Sequence, residues 1–222
     1  SGFPQDLSGS SGFDNSANTL FTTTLLLERY IGAADTVLRA ALPQPPRNEE
    51  EKKRRDAFFT VRPGQGVSQE KAARKLFEHF LPRAYRRPLE PVELEEALER
   101  FRNFRSGGRG FEAAAREVVR VVLISPKFLI KTEKKLSGKQ ESEVGPWGLA
   151  SRLSYFLWAS MPDDELFALA RKGTLSDPAV LDGQVVRMLS DPRAGSLGYI
   201  FAAQWLGYEI LGTRIRLDPI DN

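Results

Sequence analysis

The sequence predicts an all-α protein, roughly eight to ten helices in two packed helical blocks with little or no sheet. Three observations predict it. Apolar residues recur at spacings of three and four along most of the chain. No stretch sustains the period-two alternation of a half-buried strand. The phrase Leu-Ser-Asp-Pro occurs twice, at Leu175-Ser176-Asp177-Pro178 and Leu189-Ser190-Asp191-Pro192. Each copy closes one apolar run and opens the next. A Ser or Asp oxygen takes an orphan amide at a helix start, and Pro in the first turn has no amide to leave unpaired and a φ already set for helix.

The elements follow in order. Residues 1–18 are rich in Ser, Gly, Asp and Asn and read as loop. A first helix runs from Thr22 to about Leu42, with Leu26, Leu27, Tyr30, Ala34, Val37, Leu38 and Ala41 on one face, stopped by Pro43-Gln44-Pro45-Pro46. Residues 48–55 form a charge run, acidic first and basic last, an order that suits a helix dipole, with water as the expected partner. Ala57 to Val61 is a short apolar patch read as extended, and Arg62 to Gly66 a turn. Ser68 caps a helix with Ala72, Leu76, Phe80 and Ala84 on its buried stripe, and Pro82 is expected to kink or interrupt it. Pro88 and Pro91 bracket the turn to a helix carrying Leu94, Leu98, Phe101 and Phe104. Gly107-Gly108-Arg109-Gly110 leads to a more apolar helix from Phe111 to Ile124, stopped at Ser125-Pro126, with a short continuation at Phe128 to Ile130. After a polar stretch, a helix from Trp147 to Trp158 offers Leu149, Leu153, Phe156 and Leu157 to a core. Met161-Pro162-Asp163-Asp164-Glu165 starts the next, which Gly173 ends, and residues 178–189 and 192–211 form the last two.

This gives a domain plan. Residues 1–45 are an N-terminal loop plus helix, 46–67 a linker, 68–132 a first helical block, 133–146 a linking loop and 147–222 a second helical block. A chain of 222 residues accommodates one large or two small helical domains, and 41% hydrophobic with 27% charged residues is ordinary for a globular protein. The excess of 32 Lys and Arg over 29 Asp and Glu leaves only +3, so nucleic acid is not an expected partner. No cysteine is present, which removes disulfides, thiolate metal sites, thiol nucleophiles and covalent c-type haem attachment. No run reaches the ~18 apolar residues of a membrane span, so no transmembrane segment is expected. The opening Ser1-Gly2-Phe3-Pro4 has no Met and no basic n-region, and the chain reads as an internal fragment or a processed piece.

Candidate sites each meet a plainer reading. Arg83, Arg86 and Arg87, with Tyr85 among them, are the densest basic cluster and the one place marked for binding a partner or phosphate. The plainer reading has them closing a helix C-terminus and pairing with Glu90, Glu93 or Glu95. Asp163, Asp164 and Glu165 suggest metal ligands or an acid/base pair, but carboxylates in a first turn are usually caps. Asp6, Asp14, Asn15 and Asn18 offer oxygen ligands without EF-hand spacing. His79 is the sole histidine, so no usual zinc site is available. Ser151 and Ser154 lack a nucleophile elbow. Trp158 and Trp205 sit at helical core positions where packing is the ordinary role. No catalytic, cofactor or metal residue is assigned.

Three pieces of the chain resemble three consecutive families of unknown function. The first is Gly12-Phe13-Asp14-Asn15 with Leu25-Leu26-Leu27-Glu28-Arg29-Tyr30. The second runs from Ala72-Ala73-Arg74 through Arg83-Ala84-Tyr85-Arg86-Arg87-Pro88 to Val122-Leu123-Ile124-Ser125-Pro126-Lys127-Phe128-Leu129, with Pro82 departing from the usual basic or small residue. The third is Ala150-Ser151-Arg152-Leu153-Ser154-Tyr155-Phe156-Leu157-Trp158, Met161-Pro162-Asp163-Asp164-Glu165-Leu166, Asp191-Pro192-Arg193 and Gln204-Trp205-Leu206. The resemblance covers the end of the first family and stops early in the third. These families occur together in large exported proteins of planctomycetes and related bacteria that often carry c-type cytochrome domains. The resemblance implies a periplasmic or cell-envelope setting and no established activity.

The functional expectation is a non-catalytic helical scaffold or docking module of an exported, cytochrome-linked assembly, a subunit of an electron-transfer complex being one form of it. Its partner would be a c-type cytochrome or a larger membrane-associated complex, with any haem on that partner or on another domain. The alternatives are part of an enzyme, redox or polymer-hydrolysing, whose site other segments complete, and an anion-binding module centred on the arginines.

Overall fold

A computed structural model describes residues 24–64, 66–130 and 144–206. Among them every extended element is helical, and the nearest approach to sheet is an isolated bridge between Gly64 and Val67. The chain divides into two compact units, each with its own apolar core.

The first unit holds α1 (Thr24–Ala41), α2 (Glu49–Phe58), α3 (Gln69–Tyr85), α4 (Pro91–Ser106), α5 (Phe111–Leu123) and the short α6 (Pro126–Leu129). Helices α3, α4 and α5 pack on one another through Ala73, Leu76, Phe77 and Leu81, through Leu94, Leu98 and Phe101, and through Ala114, Ala115, Val118, Val119 and Val122. The buried stripe of α3 is wider than its Ala72, Leu76, Ala84 spacing implies, because Ala73, Phe77 and Leu81 turn inward beside it and Phe80 is only partly covered. That is the broader apolar face of a helix touching two neighbours rather than one. Pro82 does not interrupt the helix. It falls in the last turn, where it removes one donor, and its own carbonyl accepts from the Arg87 amide at 3.2 Å.

Residues 46–67 are largely structured. Asn48 caps α2 by accepting from the Glu51 amide at 2.8 Å, and Phe59, expected in an extended patch, is the C-cap residue and fully buried. Edge-to-face ring contacts run from Phe80 to Phe58, Phe59, Phe111, Phe101 and Phe77, with centroids between 5.0 and 6.4 Å apart. Edge-to-face pairing puts positive ring edges on negative faces, which favours this arrangement over a face-to-face sandwich. The charge run also has protein partners rather than water alone. Glu50 pairs with Arg54, Arg62 bridges Asp56 and Glu112, and Arg47 grips the buried Glu51. The long charged side chains reach one another because i and i+4 share a helix face. Helix α1 attaches by its second half, where Ala34 and Leu38, with Leu42 beyond the helix end, enter the core and Asp35 meets Arg120 of α5 at 2.6 Å. Its predicted stripe is not wholly buried: Leu27 and Val37 are exposed.

The second unit holds α7 (Pro146–Trp158), α8 (Asp164–Lys172) and α9 (Pro178–Leu189), followed by short helical turns over Pro192–Ala194, Gly195–Leu197, Gly198–Ala202 and Ala203–Leu206. Its core is Ala150, Leu157, Trp158, Leu166, Ala170, Leu175 and Met188. Gly173, in the left-handed region at φ 71°, ends α8 and lets Thr174 donate to the Leu169 carbonyl at 3.2 Å. The two Leu-Ser-Asp-Pro copies behave alike at Asp and differently after it. Asp177 accepts from the Ala179 amide and Asp191 from the Arg193 amide, both at 2.9 Å. The first copy opens a helix of 12 residues, the second a 3₁₀ turn of three. The single helix expected over 192–211 is broken into 3₁₀, α and π turns where described, with Gly195 and Gly198, poor helix formers, at its joints. Residues 207–211 lie outside the described set, as do Asp6, Asp14, Asn15 and Asn18.

Candidate functional site

The basic cluster lies where α3 ends. Arg86 takes the left-handed conformation at φ 57° that closes the helix, and its side chain is directed inward. Its Nη2 donates to the Phe128 carbonyl at 2.8 Å, and its guanidinium lies 5.6 Å from the Phe128 ring. It thereby satisfies a carbonyl of the short α6 that has no partner within its own helix. Arg87 forms a two-pronged pair with Glu93 of α4, Nη2 to Oε1 at 2.7 Å and Nη1 to Oε2 at 2.9 Å. The Glu93 side chain is 2% exposed and also accepts from the Glu90 amide and Lys127 Nζ, each at 3.0 Å. Hydrogen bonding from Arg87 is the main cause that holds this carboxyl at about 2, against the opposing effect of burial. Tyr85 is half-buried beneath the cations of Arg87 and Lys127, and burial raises its phenol above the usual range. Arg83 is half-buried on the same turn. Of the anticipated carboxylate partners, Glu93 takes this role, while Glu95 pairs with Arg74.

A second polar cluster surrounds Trp158, and sequence reasoning missed it. The indole is buried, donates Nε1 to the Met188 carbonyl at 2.9 Å, and has two guanidiniums near its ring. Arg193 sits 3.5 Å from the ring centroid and Arg187 5.5 Å. Each cation is neutralised in turn: Arg187 by Asp163 at 2.7 Å, Arg193 by Asp191 at 2.7 Å. Asp163 also caps α8, accepting from the Leu166 amide at 3.0 Å. Burial would raise its carboxyl, but the bonds from Arg187 and Leu166 outweigh that and leave it low. Asp191 is held at about 2, chiefly by Arg193. Glu165 accepts from Gln184 at 2.7 Å. The arrangement clamps α7, α8, α9 and the turn after α9 around one ring, with each guanidinium matched to a carboxylate. The signal in the sequence was the Asp191-Pro192-Arg193 cap, but the partners of Trp158 are some 30 residues away and no spacing rule links them.

The remaining candidates are not brought together. Asp163 is a cap, and among the described residues no group of three or more His, Cys, Asp or Glu forms a metal-holding cluster. His79 is exposed on α3 in the first unit, while Ser151 and Ser154 lie on α7 in the second. Ser154 is buried and donates to the Ser151 carbonyl at 3.1 Å. Trp158 has the core role expected of it, whereas Trp205 is 68% exposed, and so is Phe156 at 54%. No helix among the described residues is long and apolar enough to cross a membrane.

No curated protein and no solved structure matches the chain. Three family models do, over consecutive stretches and each under the description of a protein of unknown function: DUF1587 at residues 1–43, DUF1595 at 72–133 and DUF1592 at 144–219. The chain is thus a succession of three regions similar to families of unknown function, which the first helix, the α3–α6 cluster and the Trp158 unit embody in that order.

Proposed function

We propose that this chain is a non-catalytic helical scaffold, a docking module of an exported, cell-envelope assembly whose partner is a c-type cytochrome. One contrast carries the reading. The ionisable clusters that promised chemistry are taken up by helix ends and ion pairs, while large apolar side chains stand in solvent along α1: Leu25 is 51% exposed, Leu27 45% and Ile31 37%. Surfaces of that kind on otherwise ordinary helical units are what partners cover. The cytochrome setting rests on the resemblance, and the haem is assigned to the partner because covalent attachment needs thiols that this chain lacks. Arg83 and Tyr85, half-exposed at the end of α3, are assigned to the polar rim of the contact.

The test is size analysis of the purified chain with and without cytochrome-bearing partners from an exported assembly. Co-elution is expected, weakened roughly tenfold by Leu25→Asp with Leu27→Asp, and made less salt-sensitive by Arg83→Ala. A monodisperse monomer that binds none of them overturns the proposal.

A further inference from the structure

Helices α1 and α5 meet over an uneven charge. Arg120 of α5 holds both oxygens of Asp35, Nε to Oδ1 at 2.6 Å and Nη2 to Oδ2 at 3.2 Å. Two further guanidiniums, Arg39 and Arg116, act on the same carboxylate more weakly. Neither forms an ion pair among the described residues. Arg39, one turn beyond Asp35 and exposed, donates to the Thr36 hydroxyl at 3.0 Å. Arg116 stands between Glu112 and Arg120 on α5 at spacings of four, and both neighbours are engaged: Glu112 with Arg62 at 2.9 Å and Arg55 at 3.8 Å, Arg120 with Asp35. The Arg116 Nε is buried with no hydrogen-bond partner among the described residues. Buried donors are nearly always paired, so one left over calls for an explanation. Glu117 acts on Arg120 without pairing, so three guanidiniums face two carboxylates at this junction.

The same side of α1 carries apolar side chains in solvent. Leu27, Ile31, Asp35 and Arg39 follow one another at intervals of four and form a single winding row, whose first two members are exposed. A row that runs from apolar side chains into unmatched cations is complementary to an acidic amphipathic surface. A basic surface is repelled, and an uncharged one leaves Arg116 without an acceptor. We propose that an acidic segment of a protein partner seats along this row, its apolar side chains on Leu27 and Ile31 and a carboxylate on Arg116 and Arg39. No polar bond among the described residues ties Arg116 down, so its side chain can turn to offer Nε and Nη2 together, the planar fork that matches a carboxylate. The proposal extends the docking reading of α1 by fixing the charge of the partner at this end.

The test is calorimetric titration of the full chain with a synthetic polyglutamate peptide at low ionic strength. Saturable binding is expected, weakened roughly tenfold by Arg116→Gln and about threefold by Arg39→Gln, whose exposed position spares the fold. Lys75→Gln, which removes the same charge from an exposed position on α3, is expected to leave it unchanged. Proton–nitrogen spectra give a second reading: the Arg116 Nε–H signal, assigned by its loss in Arg116→Gln, is expected to move with polyglutamate and to stay in place with polylysine. Absence of saturable binding, or equal weakening by Lys75→Gln, overturns the proposal. So does inorganic phosphate that moves the signal as far as the peptide at equal concentration, which assigns the cations to small anions. The peptide test needs no cytochrome, so a chain that binds polyglutamate through Arg116 and no cytochrome overturns only the cytochrome reading.

Discussion

Glu93 shows how much one side chain decides. Its carboxylate is almost fully buried and answers Arg87, Lys127 and the Glu90 amide together, so α3, α4 and α6 meet at one charge. A buried carboxylate is tolerable only when its oxygens are matched in this way. Its ordinary value of 4.5 is lowered to about 2 in the folded chain. The stabilisation is therefore fully present above about pH 4.5 and is lost as the pH falls through about 2. Glu93→Gln is expected to destabilise the first unit by about 3 kcal/mol at neutral pH and to flatten the loss of stability across that acid window. Urea titrations followed by far-UV circular dichroism at a series of pH values check both. An unchanged acid slope in the variant would assign the effect to other carboxylates.

At the scale of elements, the helix starts do more than stop fraying. Asp163 caps α8 and simultaneously pairs with Arg187 of α9, so a local signal is also a tertiary contact. Asp163→Ala is expected to lose more than the ~1 kcal/mol of an ordinary cap, because Arg187 beside Trp158 also loses its 2.7 Å carboxylate partner and keeps only the longer contact to Glu165, at 3.4 Å, as counter-charge. Asp177→Ala removes a cap whose bond is exposed and is expected to lose only that ~1 kcal/mol. Thermal unfolding of the two variants side by side distinguishes them, and equal losses would deny Asp163 its second role. The same scale explains what the pattern of apolar residues left unread. Phe77 and Leu81 enter the core beside the anticipated stripe because α3 touches both α4 and α5, and Phe156 stays out although it lies next to buried Leu157.

For the molecule as a whole, two separate cores predict two separable transitions. All three tryptophans, Trp147, Trp158 and Trp205, belong to the second unit, so their fluorescence reports that unit while circular dichroism reports both. Phe59 is fully buried in the first. Phe59→Ala is expected to lower the stability of the first unit by roughly 4 kcal/mol, seen in the dichroism curve, and to leave the tryptophan curve in place. A common shift of both curves would mean that the two cores unfold as one. The expectation of a linker over 46–67 misjudged this residue because Phe58-Phe59 follows a charged run with no apolar periodicity of its own. What buries it is a chain of rings contributed by α3, α4 and α5.

By itself the sequence determined the helical class, most helix boundaries and the role of its caps. Ser68, Asp163, Gly173 and the two Asp-Pro corners act through bonds a few residues long, and such bonds are written in local order. Only the tertiary structure decided that Arg86 turns inward, that Arg193 lies on Trp158, that Phe59 is core and that Phe156 and Trp205 face solvent. Those outcomes depend on which helix comes to lie beside which, and packing partners 30 to 85 residues apart leave no trace in the spacing of either one.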